Sequence, residues 1–232
     1  MRSNDTIIKL IWPNISDIQL DQLYNYYEIL KEESLKINLT TITEIEDVYI
    51  KHFYDSILLA KSIDISNKHI VDVGTGAGFP GIVLKIIDPS IKLTLIEPTT
   101  KRCNFLNKVI NELKLENVIV INDRAENAIK ELREQFDIAT ARAVANLSIL
   151  LELLVPFVKL NGNIVPMKGS NVEEEIMTSK NAINKLKIQM GEVKQYLLPN
   201  EKGERNIVIF KKIYSTPNTY PREYAKIKKK PL

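Results

Sequence analysis

The chain has 232 residues and a net charge of +3, with 44% hydrophobic and 26% charged residues, which excludes a chain disordered throughout. Its one cysteine, Cys103, excludes an intrachain disulfide framework and a cysteine-rich zinc site, and the length suffices to bury a core without either. No uncharged apolar run approaches the ~20 residues of a membrane helix and the N-terminus lacks a signal pattern, so no membrane partner and a cytoplasmic location are expected.

Taken along the chain, residues 15–37 place Ile15, Ile18, Leu20, Leu23, Tyr27 and Leu30 at helical spacing, with Asn14 or Ser16 as N-cap. A second helix is predicted over 43–62, opened by a capping box of Thr43 and Glu46. From residue 68 the pattern changes to short β-branched runs alternating with helical stretches. Strands are expected at 70–73, 92–96, 117–121, 136–139, 162–167, 193–198 and 206–213. Helices are expected at 81–87, 101–115, 126–134, 147–158 and 172–189. The alternation implies right-handed βαβ units and a mostly parallel seven-stranded sheet with helices on both faces. The expected organisation is a helical extension at 1–64, an α/β domain at 65–214 and an irregular basic tail at 215–232. Charge is uneven, −5 over residues 1–60 and +6 over 201–232, and the run Lys228-Lys229-Lys230 suits a polyanion partner.

The most informative segment is Asp72-Val73-Gly74-Thr75-Gly76-Ala77-Gly78-Phe79-Pro80-Gly81, a strand running into glycines that open a helix. Such a turn lets a ligand approach the backbone closely at the carboxyl end of a parallel strand. Gly76-x-Gly78-x-x-Gly81 also fits the dinucleotide fingerprint. Asp72, two places before the first glycine, favours S-adenosylmethionine (SAM), whose ammonium it can meet, over a pyrophosphate that it would repel. Glu97, ending the second strand, suits the ribose hydroxyls of either ligand. Asp123-Arg124-Ala125-Glu126 ends the third strand. Arg142 ends the fourth, where a guanidinium suits the SAM carboxylate, a phosphate or guanine O6, or else pairs with Glu126 or Asp137. Cys103 reads as a small core residue. His52 and His69 lack metal-ligand spacing, and no metal is expected.

The run Asp72–Gly81, with Glu97-Pro98-Thr99-Thr100-Lys101-Arg102, Arg124-Ala125-Glu126, Phe136-Asp137, Thr140-Ala141-Arg142-Ala143 and Lys168-Gly169, resembles the RsmG (GidB) methyltransferases. Asn38-Leu39-Thr40, His52-x-x-Asp55-Ser56, Tyr220-Pro221-Arg222 and the closing Lys230-Pro231-Leu232 extend the likeness over about residues 24–232. The resemblance implies a Rossmann-like SAM-dependent methyltransferase fold. It also implies methyl transfer from SAM to N7 of a guanine in the decoding-region loop of 16S rRNA, in naked rRNA or the small ribosomal subunit, with a monomer expected. It assigns the cofactor to Gly74, Phe79, the Glu97-Pro98-Thr99 stretch, Ala125, Glu126 and Arg142, beside the Asp72, Gly76 and Gly78 of the turn. Guanine N7 carries a lone pair and no proton, so Arg142 is expected to act by positioning, with no general base. Lys101, Arg102, Arg124, Lys168, Arg222, Lys228, Lys229 and Lys230 are the candidate RNA contacts. The sequence departs from the family in having Glu97 where Asp is usual, Ser34-Leu35-Lys36-Ile37 where Trp-Asn is common, and no glycine after Arg222. Competing readings keep the fold with a protein or metabolite substrate, or make the chain a SAM-responsive ribosome-binding module without turnover.

Overall fold

The computed structural model describes residues 2–142 and 145–232. Ala143, part of the Thr140–Ala143 motif, lies outside the described residues. The sheet uses β1 (His69–Val73), β2 (Lys92–Ile96), β3 (Val118–Ile121), β4 (Phe136–Arg142), β5 (Val158–Lys168), β6 (Ile188–Leu197) and β7 (Glu204–Lys212). Their order is β3-β2-β1-β4-β5-β7-β6. The first five strands run parallel, and β7 enters antiparallel between β5 and β6. Strand order reverses between β1 and β4, which opens a crevice at their carboxyl ends. The central strands are near-continuous runs of Val, Ile, Leu and Ala because both faces are covered.

One face is covered by α1 (Asp5–Ile11), α2 (Asp17–Ser34), the continuous helical stretch 45–62, α5 (Gly81–Ile87) and α6 (Thr100–Glu112). That stretch comprises α3 (Ile45–Val48), a π-helical segment Tyr49–Tyr54, and α4 (Asp55–Ser62). Ile8, Leu23, Tyr26 and Phe53 join Ile70, Ile82 and Leu93 in one core, so the N-terminal helices are built onto the sheet. The other face carries α7 (Ala125–Leu132), α8 (Leu147–Leu154), α9 (Val172–Thr178), α10 (Lys180–Leu186) and α11 (Tyr224–Lys229).

Ser16 caps α2 through a reciprocal box with Gln19. The box expected at Thr43 and Glu46 does not form: α3 starts after Glu44 with no side-chain cap. The single helix expected at 172–189 is two, broken at Ser179 where the backbone leaves helical geometry, and it stops at Leu186 because Ile188 already belongs to β6. The short α1 was not expected. The tail is more ordered than its lysines suggested: Ile227 and Leu232 are buried, and Arg222 clamps buried Glu152 of α8 with Nε and Nη2 at 2.8 and 2.6 Å. Among the described residues no helix is long and apolar enough to cross a membrane.

Candidate active site at the carboxyl edge of the sheet

The glycine turn leaves β1 at Val73 and enters α5 at Gly81. Asp72 is fully buried beneath it. Its Oδ2 accepts from Thr75 Oγ1 (2.6 Å) and the Gly81 amide (2.9 Å), tying both ends of the turn together. Among the described residues its Oδ1 has no hydrogen-bond partner. Burial pushes this carboxyl up to about 6, against the two hydrogen bonds that favour its charge. Gly74, Gly76 and Gly78 all adopt positive φ. A Cβ on Gly78 would lie 2.7 Å from the Tyr26 hydroxyl and one on Gly81 would lie 2.6 Å from Leu95, whereas one on Gly76 would meet open space. Packing therefore demands glycine at 78 and 81, and Gly76 borders an open cradle. The Tyr26 hydroxyl of α2 donates to the Ala77 carbonyl, and its ring stacks on Phe53 and meets Phe79. An N-terminal helix thus braces the turn, which sequence periodicity alone had no means of revealing.

Glu97, at the end of β2, is also buried. Its Oε2 accepts from the Gly76 amide (3.1 Å) and its Oε1 from the Thr99 amide (2.9 Å). Arg102 stands 3.9 Å from Oε1 and reaches the Asn38 carbonyl. Pro98 and Thr99 are exposed beside it. Ala125 and Glu126 open α7 beyond β3, behind an Asp123 that accepts from the Arg124 amide and from Asn127. Two buried carboxylates, one with an orphaned oxygen, around an open glycine cradle fit a cationic nucleoside such as SAM and disfavour a pyrophosphate. Cys103 donates its thiol to the Glu97 carbonyl inside α6 and is a buried structural residue.

Arg142 takes partners that the sequence did not suggest. It pairs with neither Glu126 nor Asp137, and Asp137 is taken by Lys159. Its Nη1 donates to Asp55 Oδ2 (2.8 Å) and to the Lys51 carbonyl (2.9 Å), and its guanidinium lies 5.0 Å from the Phe79 ring centre. That carbonyl is available because the helix is π-helical here: the Asp55 amide bonds back five residues to Ile50. His52 Nδ1 lies 3.0 Å from Arg142 Nη2 and 3.1 Å from the Lys51 carbonyl, and its Nε2 lies 3.1 Å from Thr40 Oγ1. Burial and the Arg142 charge lower the His52 pKa to about 3, leaving a neutral imidazole stacked on Phe79. Arg142 is thus a fixed post between the glycine turn and the N-terminal helices.

Beyond it lies a cavity of about 310 Å³ at the ends of β4 and β5, lined among others by Ile42, Asp55, Arg142, Met167, Lys168 and Arg205. The expected RNA contacts divide. Lys101, Arg124, Lys228, Lys229 and Lys230 are exposed, and Tyr224 of α11 stands under Arg124. Lys168 is not presented as a free charge: its side chain is 9% exposed and pairs with Glu175 at 2.7 Å. Arg222 is likewise committed to Glu152. Asp55, Lys51 and Arg205 were not assigned roles from sequence, although the His52-x-x-Asp55 spacing was a usable signal for the first.

A family model described as rRNA small subunit methyltransferase G (GidB) matches residues 19–208. Ribosomal RNA small subunit methyltransferase G of Mesoplasma florum is 50% identical over 209 residues, covering 90% of this chain and 88% of that protein. The protein of the same name from Bacillus subtilis is 44% identical over 222 residues, covering 94% and 93%. Among solved structures, M. jannaschii TYW2 in complex with AdoMet superposes with a TM-score of 0.56 at 20% identity, over 70% of this chain and 76% of that one. A SAM dependent methyltransferase from Aquifex aeolicus gives 0.56 at 18% identity, over 80% and 97%. Those two likenesses place the architecture among Rossmann-like SAM-dependent methyltransferase folds. With the family model spanning most of the chain and relatives matching nearly end to end, the chain belongs to the GidB family of rRNA small subunit methyltransferases G.

Proposed function

We propose that this chain transfers a methyl group from SAM to N7 of a guanine in the decoding-region loop of 16S rRNA, acting as a cytoplasmic monomer without a metal. When bound, SAM supplies a sulfonium methyl open to in-line attack. The residues that would hold it are Asp72, Gly74, Gly76, Gly78 and Phe79 of the turn, Glu97, Pro98 and Thr99 after β2, and Ala125 and Glu126 opening α7. Arg142 positions Phe79 and the substrate side of the site. The observation that carries the N7 reading is the end of β4. It offers Arg142, a pure donor whose Nη atoms are already engaged, where amino-group methyltransferases need acceptors for an N–H. Guanine N7 has no proton to remove, so positioning and electrostatics suffice. Lys101, Arg102, Arg124 and the tail lysines supply the phosphate contacts; Lys168 and Arg222 support the fold around them.

The direct experiment is label transfer from radiolabelled SAM to 16S rRNA and to small subunits from cells lacking this gene, with the modified base mapped. Label at N7 of one guanine is expected. Bound SAM without label on either substrate would overturn the RNA reading.

A further inference from the structure

The cavity at the ends of β4 and β5 is lined by four cations, Lys51, Arg142, Lys168 and Arg205, against two carboxylates, Asp55 and Glu175, while His52 is neutral. Glu175 is occupied by Lys168 at 2.7 Å and by the Leu147 amide. Asp55 is 1% exposed and is shared by Arg142 at 2.8 Å and Arg205 at 3.3 Å. Lys51 in turn shares Asp47 with Lys202, at 3.0 Å each. Two of these three carboxylates thus serve two cations apiece, and the wall keeps a positive surplus. The cations are also the accessible groups: the side chains of Lys51 and Arg205 are 27% and 26% exposed. Arg205 donates through Nη1 to the Glu204 carbonyl, and among the described residues its Nη2 has no hydrogen-bond partner. Lys51 Nζ bonds Asp47 and no other described group, so part of its donor capacity stays open.

We propose that this cavity seats a phosphodiester of the RNA strand beside the target guanosine, with Arg205 Nη2 and Lys51 Nζ as its donors. The proposal rests on the rRNA methyltransferase reading above and adds the strand contact next to the reacting base. Accessible N–H donors that carry a surplus of positive charge call for an anion, and guanidinium and ammonium groups suit phosphate oxygens. Arg142 and Lys168 are engaged with Asp55, His52 and Glu175, so they hold the walls and leave the ligand to Arg205 and Lys51. A Cβ on Gly169 would meet open space, so the end of β5 leaves the mouth clear. The cavity is not where N7 reacts. A reacting atom must come within about 3–3.5 Å of the methyl, and the Arg142 guanidinium stands between the cavity and Phe79, 5.0 Å from the ring centre. Phosphate contacts fix the register and orientation of a strand without reading its sequence. That is the role open to a charged seat set one guanidinium away from the cofactor turn.

The test uses small subunits reconstituted with 16S rRNA that carries a neutral methylphosphonate at each linkage around the mapped guanosine in turn. Each is placed on a deoxynucleotide and compared with the same deoxynucleotide on an ordinary phosphate. The wild-type protein is expected to lose about tenfold or more in kcat/KM at one linkage, as befits a charge-assisted hydrogen bond. Arg205→Gln should lose a similar factor on RNA with ordinary phosphates, and no more than about twofold further at that linkage, because the contact is already gone. Its SAM affinity by calorimetry should equal that of the wild type, and Arg205→Lys should recover part of the rate. Lys51→Gln should show the same coupling and carries the test if Arg205→Gln does not fold. Variants that keep the wild-type kcat/KM overturn the proposal. So do variant and methylphosphonate losses that multiply at every linkage, since independent contacts combine that way. A wild-type protein indifferent to every linkage overturns it as well, and that scan requires no variant to fold. A wild-type protein that labels no RNA overturns the methyltransferase reading and this proposal with it; labelled RNA without the coupling overturns this proposal alone.

Discussion

Asp72 titrates at about 6 because burial outweighs its two hydrogen bonds, and this places a pH limit on the cradle. A cationic ligand above the turn favours the ionised carboxylate. SAM affinity measured by calorimetry should rise about tenfold between pH 5 and pH 7, following that ionisation. Asp72→Asn should bind more weakly at pH 7 and show a flat profile over the same range. The glycines separate by mechanism. Gly76→Ala strains a left-handed backbone by about 1–2 kcal/mol and fills the open side of the cradle, so it should lose SAM while staying folded. Gly78→Ala adds a collision with the Tyr26 hydroxyl and Ile82, so its thermal midpoint should fall further than that of Gly76→Ala.

At the scale of elements, two contacts tie peripheral helices to the sheet. Tyr26 of α2 holds the Ala77 carbonyl. Tyr26→Phe keeps the ring packing and removes the donor, which should cost about 1 kcal/mol in urea unfolding and weaken SAM binding severalfold. The tail is held by Arg222 against Glu152 of α8. Arg222→Ala leaves a fully buried carboxylate without its cation and should destabilise by about 3 kcal/mol. Arg222→Ala with Glu152→Leu should recover much of that loss, since the burial of an unpaired charge is what costs. The tail reads as a solvated basic run because its lysines dominate the composition. Only packing shows that Ile227 and Leu232 anchor it.

For the whole molecule, His52 and the basic surface set the response to solution conditions. The His52 ring is held neutral down to about pH 3, while in the unfolded chain it takes up a proton near 6.5. Its contribution to stability is therefore complete above pH 6.5 and is lost progressively as pH falls toward 3. Asp72, raised above its unfolded value, acts in the opposite sense between about pH 6 and 4. The thermal midpoint should decline less steeply below pH 6 in His52→Gln than in the wild type. Methyl transfer at subsaturating RNA should fall roughly tenfold or more between 50 and 200 mM salt, as expected for phosphate contacts. Replacing Lys228, Lys229 and Lys230 together by Ala should reduce that slope.

The sequence alone determined the sheet and the cradle. The β-branched runs, the helices between them and the glycines after Asp72 are local signals that locate the strands, although β6 begins at Ile188, five residues before its expected start at 193. Glu97 and Arg142 were legible for the same reason, as polar residues at the ends of apolar strands. What the tertiary structure decided was partnership. Arg142 meets Asp55 across 87 positions and Lys168 meets Glu175 rather than solvent. Tyr26 reaches Ala77 across 51 positions, and Arg222 folds back onto Glu152 across 70. The π-helical segment that frees the Lys51 carbonyl also escaped local reading, because its residues have ordinary helical propensity. Periodicity and composition record which face of an element is buried; they carry no information about which distant charge will neutralise a buried one, since that depends on chain crossings fixed only when the layers pack.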